Sequence, residues 1–312
     1  MDFVPIDFAT RLETLYGQQG EQWLRDLPEL LERCQERFDL RLEAPFPNLT
    51  WNLVLQASRC DGTPVVLKMA VRKAELYRER TALHAYSGRG GIQVLDADDD
   101  LGAVVLERAD PGTALSTIED DDLATGIFCS VFRALHGEAS TISSASGPLV
   151  PIEEHFSGIE RYRQRHCKGN AEPLSAYWVE RASECLAYLV SSTRDRVVLH
   201  GDLHHDNILQ HRRGGWAVID PKGIVGDRHF DTIQFLLNYI ERDGDPYTVL
   251  TRRIGIISTA LRLSARRIAM WGLARGVLEA CWTIEDGRTE VHQGVDIAKR
   301  FARYLDAIGV KD

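Results

Sequence analysis

The residues best suited to chemistry fall in one short run, His200-Gly201-Asp202-Leu203-His204-His205-Asp206-Asn207-Ile208-Leu209, set between two apolar stretches. An acid at Asp202 is followed five residues later by an amide at Asn207. A second acid, Asp220, comes eighteen residues after Asp202, in Val218-Ile219-Asp220-Pro221-Lys222-Gly223. These residue types at this spacing suit phosphoryl transfer from a nucleoside triphosphate. Such a transfer needs a carboxylate beside the attacking hydroxyl, to orient it and accept its proton, and that role falls to Asp202. It also needs Mg²⁺, a hard cation that takes one or two protein oxygens and leaves the rest of its shell to phosphate and water. Asn207 offers an amide oxygen and Asp220 a carboxylate.

A lysine is required upstream to hold the α- and β-phosphates of ATP. Lys68 supplies it at the end of Val65-Val66-Leu67-Lys68. Its partner should be a glutamate on the next helix. Glu75 and Glu79 are four residues apart and share a helical face. Glu79 is favoured because Glu79-Arg80-Thr81-Ala82-Leu83 runs on into the apolar face, with Glu75 as the alternative. Taken singly, these residues are commonplace, since acids and amides populate turns and caps. Taken together, the spacing parallels the His-Arg-Asp-x-x-x-x-Asn loop and the Asp-Phe-Gly aspartate of protein kinases. His204, His205 and His211 do not fall at zinc-ligand spacings.

These residues need elements to position them. Gly20–Phe38 carries an apolar stripe at helical spacing. Thr50–Ser58 and Thr63–Ala70 read as strands joined by an Asp61-Gly62 turn. A helix over Lys73–Tyr86 and a strand pair at Gln93–Asp96 and Ala103–Glu107 follow. Beyond Pro111-Gly112 the period changes to that of helices. They are expected at Asp122–His136, Ile152–His166 and Leu174–Ser191, with Ser140–Gly147 as a loop. The run Glu119-Asp120-Asp121-Asp122 reads as a helix N-terminus favoured by the dipole. Short strands at Val197–Leu199, Ile208–Gln210 and Ala217–Ile219 flank the candidate loop, and the chain is mostly helical from Phe230 on. The fold class is α+β and bilobal. A helical N-terminal extension (1–40) precedes a small β-rich lobe (41–108) and a larger, mainly helical lobe (109–312).

Composition bounds the partners. The 312 residues include 37 Lys and Arg against 46 Asp and Glu, a net charge of −9, which argues against a nucleic-acid binder. No apolar run approaches the ~18 residues of a membrane span. The start, Met1-Asp2-Phe3-Val4, lacks the basic-then-apolar pattern of a signal peptide. The six cysteines are scattered without a CxxC pair and read as reduced thiols of a cytoplasmic protein.

The chain resembles the aminoglycoside phosphotransferase superfamily, within the protein-kinase-like fold. It is most similar to the streptomycin 6-kinase and hydroxyurea phosphotransferase branch. Leu199–Leu209 and Ile219-Asp220-Pro221-Lys222-Gly223-Ile224-Val225-Gly226-Asp227 carry the likeness, with support from Asp61–Lys68, Leu106–Gly112 and Trp23–Pro28. The resemblance implies an ATP- and Mg²⁺-dependent kinase of a small hydroxylated molecule. Asp202 would be the base, Asn207 and Asp220 would hold Mg²⁺, and Lys68 with Glu79 would bind the ATP phosphates. Leu106–Ala109, including Glu107 and Ala109, would be the hinge that reads adenine. Asp231 would brace the catalytic loop, with His200 also structural.

Two departures from the protein-kinase pattern matter. Pro47–Leu53 stands where a glycine-rich loop would lie and has no glycine, so Thr50 and Asn52 side chains are the candidates for covering the nucleotide. No phosphorylatable activation loop follows Asp220, which argues against a protein substrate. The acceptor is therefore expected to be small, and cationic if it is an aminoglycoside. Candidate contacts are Asp206, Asp227, Glu279, Glu285 and Asp286, with Trp271 and Trp282 as aromatic faces. Hydroxyurea or another small metabolite is the alternative acceptor, and a non-catalytic nucleotide-binding module is the alternative class. The chain is expected to act as a monomer or dimer.

Overall fold

The computed structural model describes residues 4–47, 49–86, 88–137, 148–166, 173–212 and 215–309. The chain begins with two helices, α1 (Ile6–Tyr16) and α2 (Gln18–Phe38). An antiparallel sheet follows, built from β1 (Leu40–Pro45), β2 (Asn52–Arg59), β3 (Pro64–Ala70), β4 (Val94–Asp98) and β5 (Ala103–Glu107). Helix α3 (Lys73–Tyr86) lies between β3 and β4. The strand order is β1-β2-β3-β5-β4. The β2–β3 hairpin turns where expected: Gly62 takes φ +83, and the Thr63 N–H donates to Asp61 Oδ1 at 2.8 Å. Strand β1 was not anticipated. Only Leu40 and Leu42 alternate inward before Pro45, too short a signal to read.

The sheet is covered on both faces, and alternation assigns each side chain to a face. Leu53, Leu55, Leu67, Met69, Ala103 and Val105 face one core with Phe8 and Leu12 of α1 and Leu27, Leu31 and Cys34 of α2. Val104 and Leu106 face the other way, into a core shared with Leu76, Leu83 and Tyr86 of α3. That second core runs without a break through the whole C-terminal part. Lys68 has the opposite phase to Leu67 and Met69, so it projects on the α3 side.

The C-terminal part contains β6 (Pro111–Ala114), α4 (Asp121–Leu135), β7 (Val150–Pro151), α5 (Ile152–His155), α6 (Ser157–His166) and α7 (Ala176–Ser192). Then come β8 (Val197–Leu199), β9 (Ile208–His211), β10 (Gly215–Val218), β11 (Ile224–Gly226), α8 (Ile233–Leu237), α9 (Pro246–Leu261), α10 (Ala265–Glu285) and α11 (His292–Ala307). The single helix expected over Ile152–His166 is two, divided at Phe156. The loop expected over Ser140–Gly147 lies outside the described residues. The acidic run before α4 caps it, Asp120 accepting from the Leu123 N–H at 3.0 Å. Asp121 is instead buried on Arg253, which also donates to the carbonyls of Phe235, Leu236 and Asn238. Two three-stranded sheets, β10-β9-β6 and β7-β11-β8, support the loop that carries the chemistry. Helices α10 and α11 meet at Gly276 and Gly294, where a Cβ on Gly276 would lie 2.7 Å from the Gly294 carbonyl oxygen. Among the described residues no helix is long and apolar enough to cross a membrane.

Candidate active site

The loop between β8 and β9 is held by one buried carboxylate. Asp231 accepts the backbone N–H groups of His200 and Gly201, both at 2.7 Å, and lies 2.9 Å from His136 Nε2. Gly201 sits at φ +80, and a Cβ there would come within 2.7 Å of Ile224 Cδ1. The His200 ring locks the next residue. Its Nε2 donates to the Ile219 carbonyl at 2.8 Å, and its Nδ1 accepts the Asp202 N–H at 3.3 Å. Burial lowers the His200 pKa against the pull of Asp231 and Asp202, so the ring is the neutral tautomer that this pattern requires.

Asp202 emerges from this frame partly exposed. Its Oδ1 accepts from Gln234 Nε2 at 2.8 Å, and its Oδ2 lies 3.7 Å from Lys222 Nζ and 3.9 Å from His204 Nε2. Asn207 Nδ2 donates to the Asp202 carbonyl at 2.9 Å, which fixes the amide and leaves Oδ1 as its acceptor atom. The β9–β10 hairpin then returns the chain, and the Ile219 N–H closes onto the Asn207 carbonyl at 3.0 Å. Asp220 follows at once. It adopts φ +60, a left-handed conformation that is uncommon for a non-glycine residue. Its Oδ1 lies 2.8 Å from Lys68 Nζ and its Oδ2 2.7 Å from Lys222 Nζ.

Lys68 reaches this point from β3, with Nζ 2.7 Å from Glu79 Oε2 on α3. The partner glutamate is thus Glu79 and not Glu75. Burial works against the Lys68 charge, but Asp220 and Glu79 outweigh it and hold its pKa above the usual lysine range. Burial likewise opposes the Asp220 charge, and Lys68 and Lys222 overcome it, driving that carboxyl well below the usual range. Lys222 is raised for the same reason, by Asp220 and Asp202 against burial. The oxygens of Asn207 and Asp220 are a hard donor pair suited to Mg²⁺. No cluster of three His, Cys, Asp or Glu side chains able to hold a metal ion occurs among the described residues; a metal held by Asn207 and Asp220 would take the rest of its shell from phosphate and water.

The other expected residues separate into groups. Thr50 is exposed and Asn52 opens β2; Arg11 of α1 donates to the Leu49 carbonyl at 2.6 Å and so tethers this glycine-less stretch. The Glu107 N–H is engaged by the Gln93 carbonyl at 2.9 Å, and its carboxylate lies 3.1 Å from His211 Nε2. Ala109 lies two residues beyond the end of β5 and is half-buried. Asp206 accepts the Tyr239 O–H at 2.9 Å.

Asp227 is a correction. It is buried, its carboxylate is surrounded by Arg267, His229 Nδ1 and Trp271 Nε1, and it braces α10 instead of facing a ligand. Trp271 is fully buried and offers no free face. Glu285 is engaged by Arg161 through two 2.8 Å contacts, and Asp286 pairs with Arg288. Glu279 pairs with Arg275 at 2.8 Å, and Arg275 in turn lies 4.9 Å over the Trp282 ring.

Three residues in the site carried no role in the sequence reading. Gln234 is a lone amide inside the apolar run Ile233–Leu237. Lys222 follows Asp220 by two positions. Tyr239 takes φ +55 and stacks under Arg242, 3.3 Å from its guanidinium carbon. Tyr239 also borders a cavity of about 590 Å³ lined by Glu241, Arg242, Gln293, Asp296 and Arg300. A fourth feature is His155, whose Nε2 is buried without a hydrogen-bond partner. Burial and Arg275 push its pKa down to about 4 against the pull of Asp202.

A family described as aminoglycoside/hydroxyurea antibiotic resistance kinase matches residues 46–287. The chain belongs to this family. Among its resistance-kinase relatives, streptomycin 6-kinase of Streptomyces griseus is 32% identical over 296 residues, covering 92% of this chain and 93% of the relative. Hydroxyurea phosphotransferase of Kitasatospora aureofaciens is 30% identical over 271 residues, covering 87% and 77%. The aminoglycoside phosphotransferase APH(4)-Ia, solved with ADP and hygromycin B, superposes with a TM-score of 0.63 at 15% identity over 90% of this chain and 99% of that one. Choline kinase LicA from Streptococcus pneumoniae gives 0.57 at 16% identity over the same shares. The kinase-like α+β fold follows from these likenesses, and the resistance kinase is a phosphotransferase with a hydroxyl acceptor.

Proposed function

We propose that the protein transfers the terminal phosphoryl group of ATP to a hydroxyl of a streptomycin-like aminoglycoside, with Mg²⁺ held by Asn207 and Asp220. The observation that carries this reading is the convergence of Lys68, Asp202, Asn207 and Asp220 on one cleft, from a strand, a braced loop and a hairpin end. A non-catalytic relative has no need of all four. Asp202 accepts the acceptor proton through Oδ2, since Gln234 occupies Oδ1. Lys68, steadied by Glu79, meets the non-transferred phosphates. Bound Mg²⁺ supplies positive charge to the phosphate oxygens. The bond from the acceptor oxygen to phosphorus forms as the bond to the bridging oxygen breaks, and that electron pair leaves on ADP.

The acceptor enters by the cavity beside Tyr239. Its volume suits a drug-sized ligand. Glu241 and Asp296 on its wall, beside Arg242 and Arg300, and Asp206 hydrogen-bonded to the bordering Tyr239, offer carboxylates to ammonium or guanidinium groups. The test is ADP release by purified protein with Mg²⁺ and ATP across streptomycin, other aminoglycosides and hydroxyurea, with a mass spectrum of each product. Streptomycin gaining one phosphate is the expected result. Phosphorylation of hydroxyurea alone moves the assignment to that acceptor, and silence across the panel refutes the aminoglycoside reading.

A further inference from the structure

Lys222 stands where the reaction would pass. Its backbone is fixed on both sides. Its N–H donates to the His200 carbonyl at 2.7 Å, and the next residue, Gly223 at φ +66, lies so close to α3 that a Cβ would meet the Arg78 carbonyl oxygen at 2.8 Å. The side chain is freer, 43% exposed, and sets Nζ 2.7 Å from Asp220 Oδ2 and 3.7 Å from Asp202 Oδ2. The ammonium therefore lies between the carboxylate suited to take the acceptor proton and the carboxylate suited to hold the metal. An in-line transfer carries the phosphoryl group between those same two positions. Lys68 is unsuited to follow it, being 6% exposed and clamped between Glu79 and Asp220.

We propose that Lys222 is a catalytic residue whose ammonium contacts the non-bridging oxygens of the phosphoryl group in flight. The inference rests on the phosphotransferase reading above. A metal held by Asp220 would compete with Lys222 for that carboxylate, and the ammonium, on its four-carbon stem, would be released toward the transferring group. It gives and takes no proton. It supplies positive charge where the three equatorial oxygens carry the developing negative charge. The proton still goes to Asp202, and the leaving electron pair still goes to ADP.

The test compares wild type, Lys222→Met and Lys222→Arg. Binding of ADP and of a non-hydrolysable ATP analogue, each with Mg²⁺, is measured by calorimetry on the full chain without acceptor. Contact with the transferable phosphoryl predicts that Lys222→Met weakens the triphosphate about tenfold and ADP less than twofold, with Lys222→Arg near wild type. With the acceptor that wild type phosphorylates, kcat should fall about 100-fold in Lys222→Met, with a much smaller change in KM for ATP and partial recovery in Lys222→Arg. Equal weakening of both nucleotides, or no change in either, overturns the assignment. Where the Met variant does not fold, Lys222→Gln replaces it and the same comparison decides. Wild type binding neither nucleotide would refute the phosphotransferase reading and this inference with it. Wild type binding both without turning over any acceptor would leave the differential binding to decide Lys222 alone.

Discussion

Replacing Asp231 by Ala should open the catalytic loop before it unfolds the protein. The side chain is buried and satisfies three donors: the His200 and Gly201 N–H groups at 2.7 Å and His136 Nε2 at 2.9 Å. Setting aside His136, whose Nδ1 is already buried without a partner, the loss includes two backbone donors that have a charged acceptor now and none afterwards. Hydrogen bonds to charged groups contribute about 1.5–3 kcal/mol each. The loop should therefore be destabilised by about 3–6 kcal/mol, less what water entry restores. At about 1.4 kcal/mol per tenfold, even the lower figure raises local opening by about 100-fold. The assay is native-state hydrogen exchange at the His200 and Gly201 amides, read beside an amide in the α10–α11 core. Exchange should accelerate at the two loop amides far more than in that core, and kcat should fall because Asp202 is the next residue. Asp231→Asn keeps one acceptor oxygen and should lie between. Unchanged exchange at His200 and Gly201 would refute the idea that this carboxylate holds the loop.

Asp202→Asn should retain nucleotide binding by calorimetry while kcat falls by about 10²–10⁴, the usual range for losing a general base. Acid should weaken the fold through His155. Its folded pKa of about 4 lies below the unfolded value near 6.5, so the unfolded chain binds the proton first and stability falls as pH drops from 6.5 to 4. That shift corresponds to about 3 kcal/mol, and urea midpoints for His155→Gln should decline less over the same window; parallel curves for the two proteins would exclude His155 as the cause. Gly276→Ala pushes a methyl against the Gly294 carbonyl and should cost about 1–3 kcal/mol, seen as a lower denaturant midpoint with kcat unchanged.

The legible part of the site was the part held in local spacing. Asp202, Asn207 and Asp220 lie in one loop and hairpin, so the chain itself fixes their separation. Lys68 could be placed because it closes the apolar run Val65-Val66-Leu67, and Glu79 because Glu79-Arg80-Thr81-Ala82-Leu83 runs on into the apolar face of the next helix. The acceptor side was not legible in this way. Acids such as Asp227 announce a charge but not the partner that neutralises it, and Arg267 lies forty residues further on. The Tyr239 cavity is formed by the turn after α8 and by α11, elements that only tertiary packing brings together. Gln234 was hidden because an amide in an apolar run has no periodic signature.

Helix α3 lies on the β5 face whose core continues into the C-terminal part, and its Arg78 backbone abuts Gly223 beside the catalytic hairpin. Carrying Glu79 away from Lys68 would pull Leu76, Leu83 and Tyr86 out of that shared core. The Lys68–Glu79 ion pair is therefore kept by the same packing that joins the sheet to the helical part.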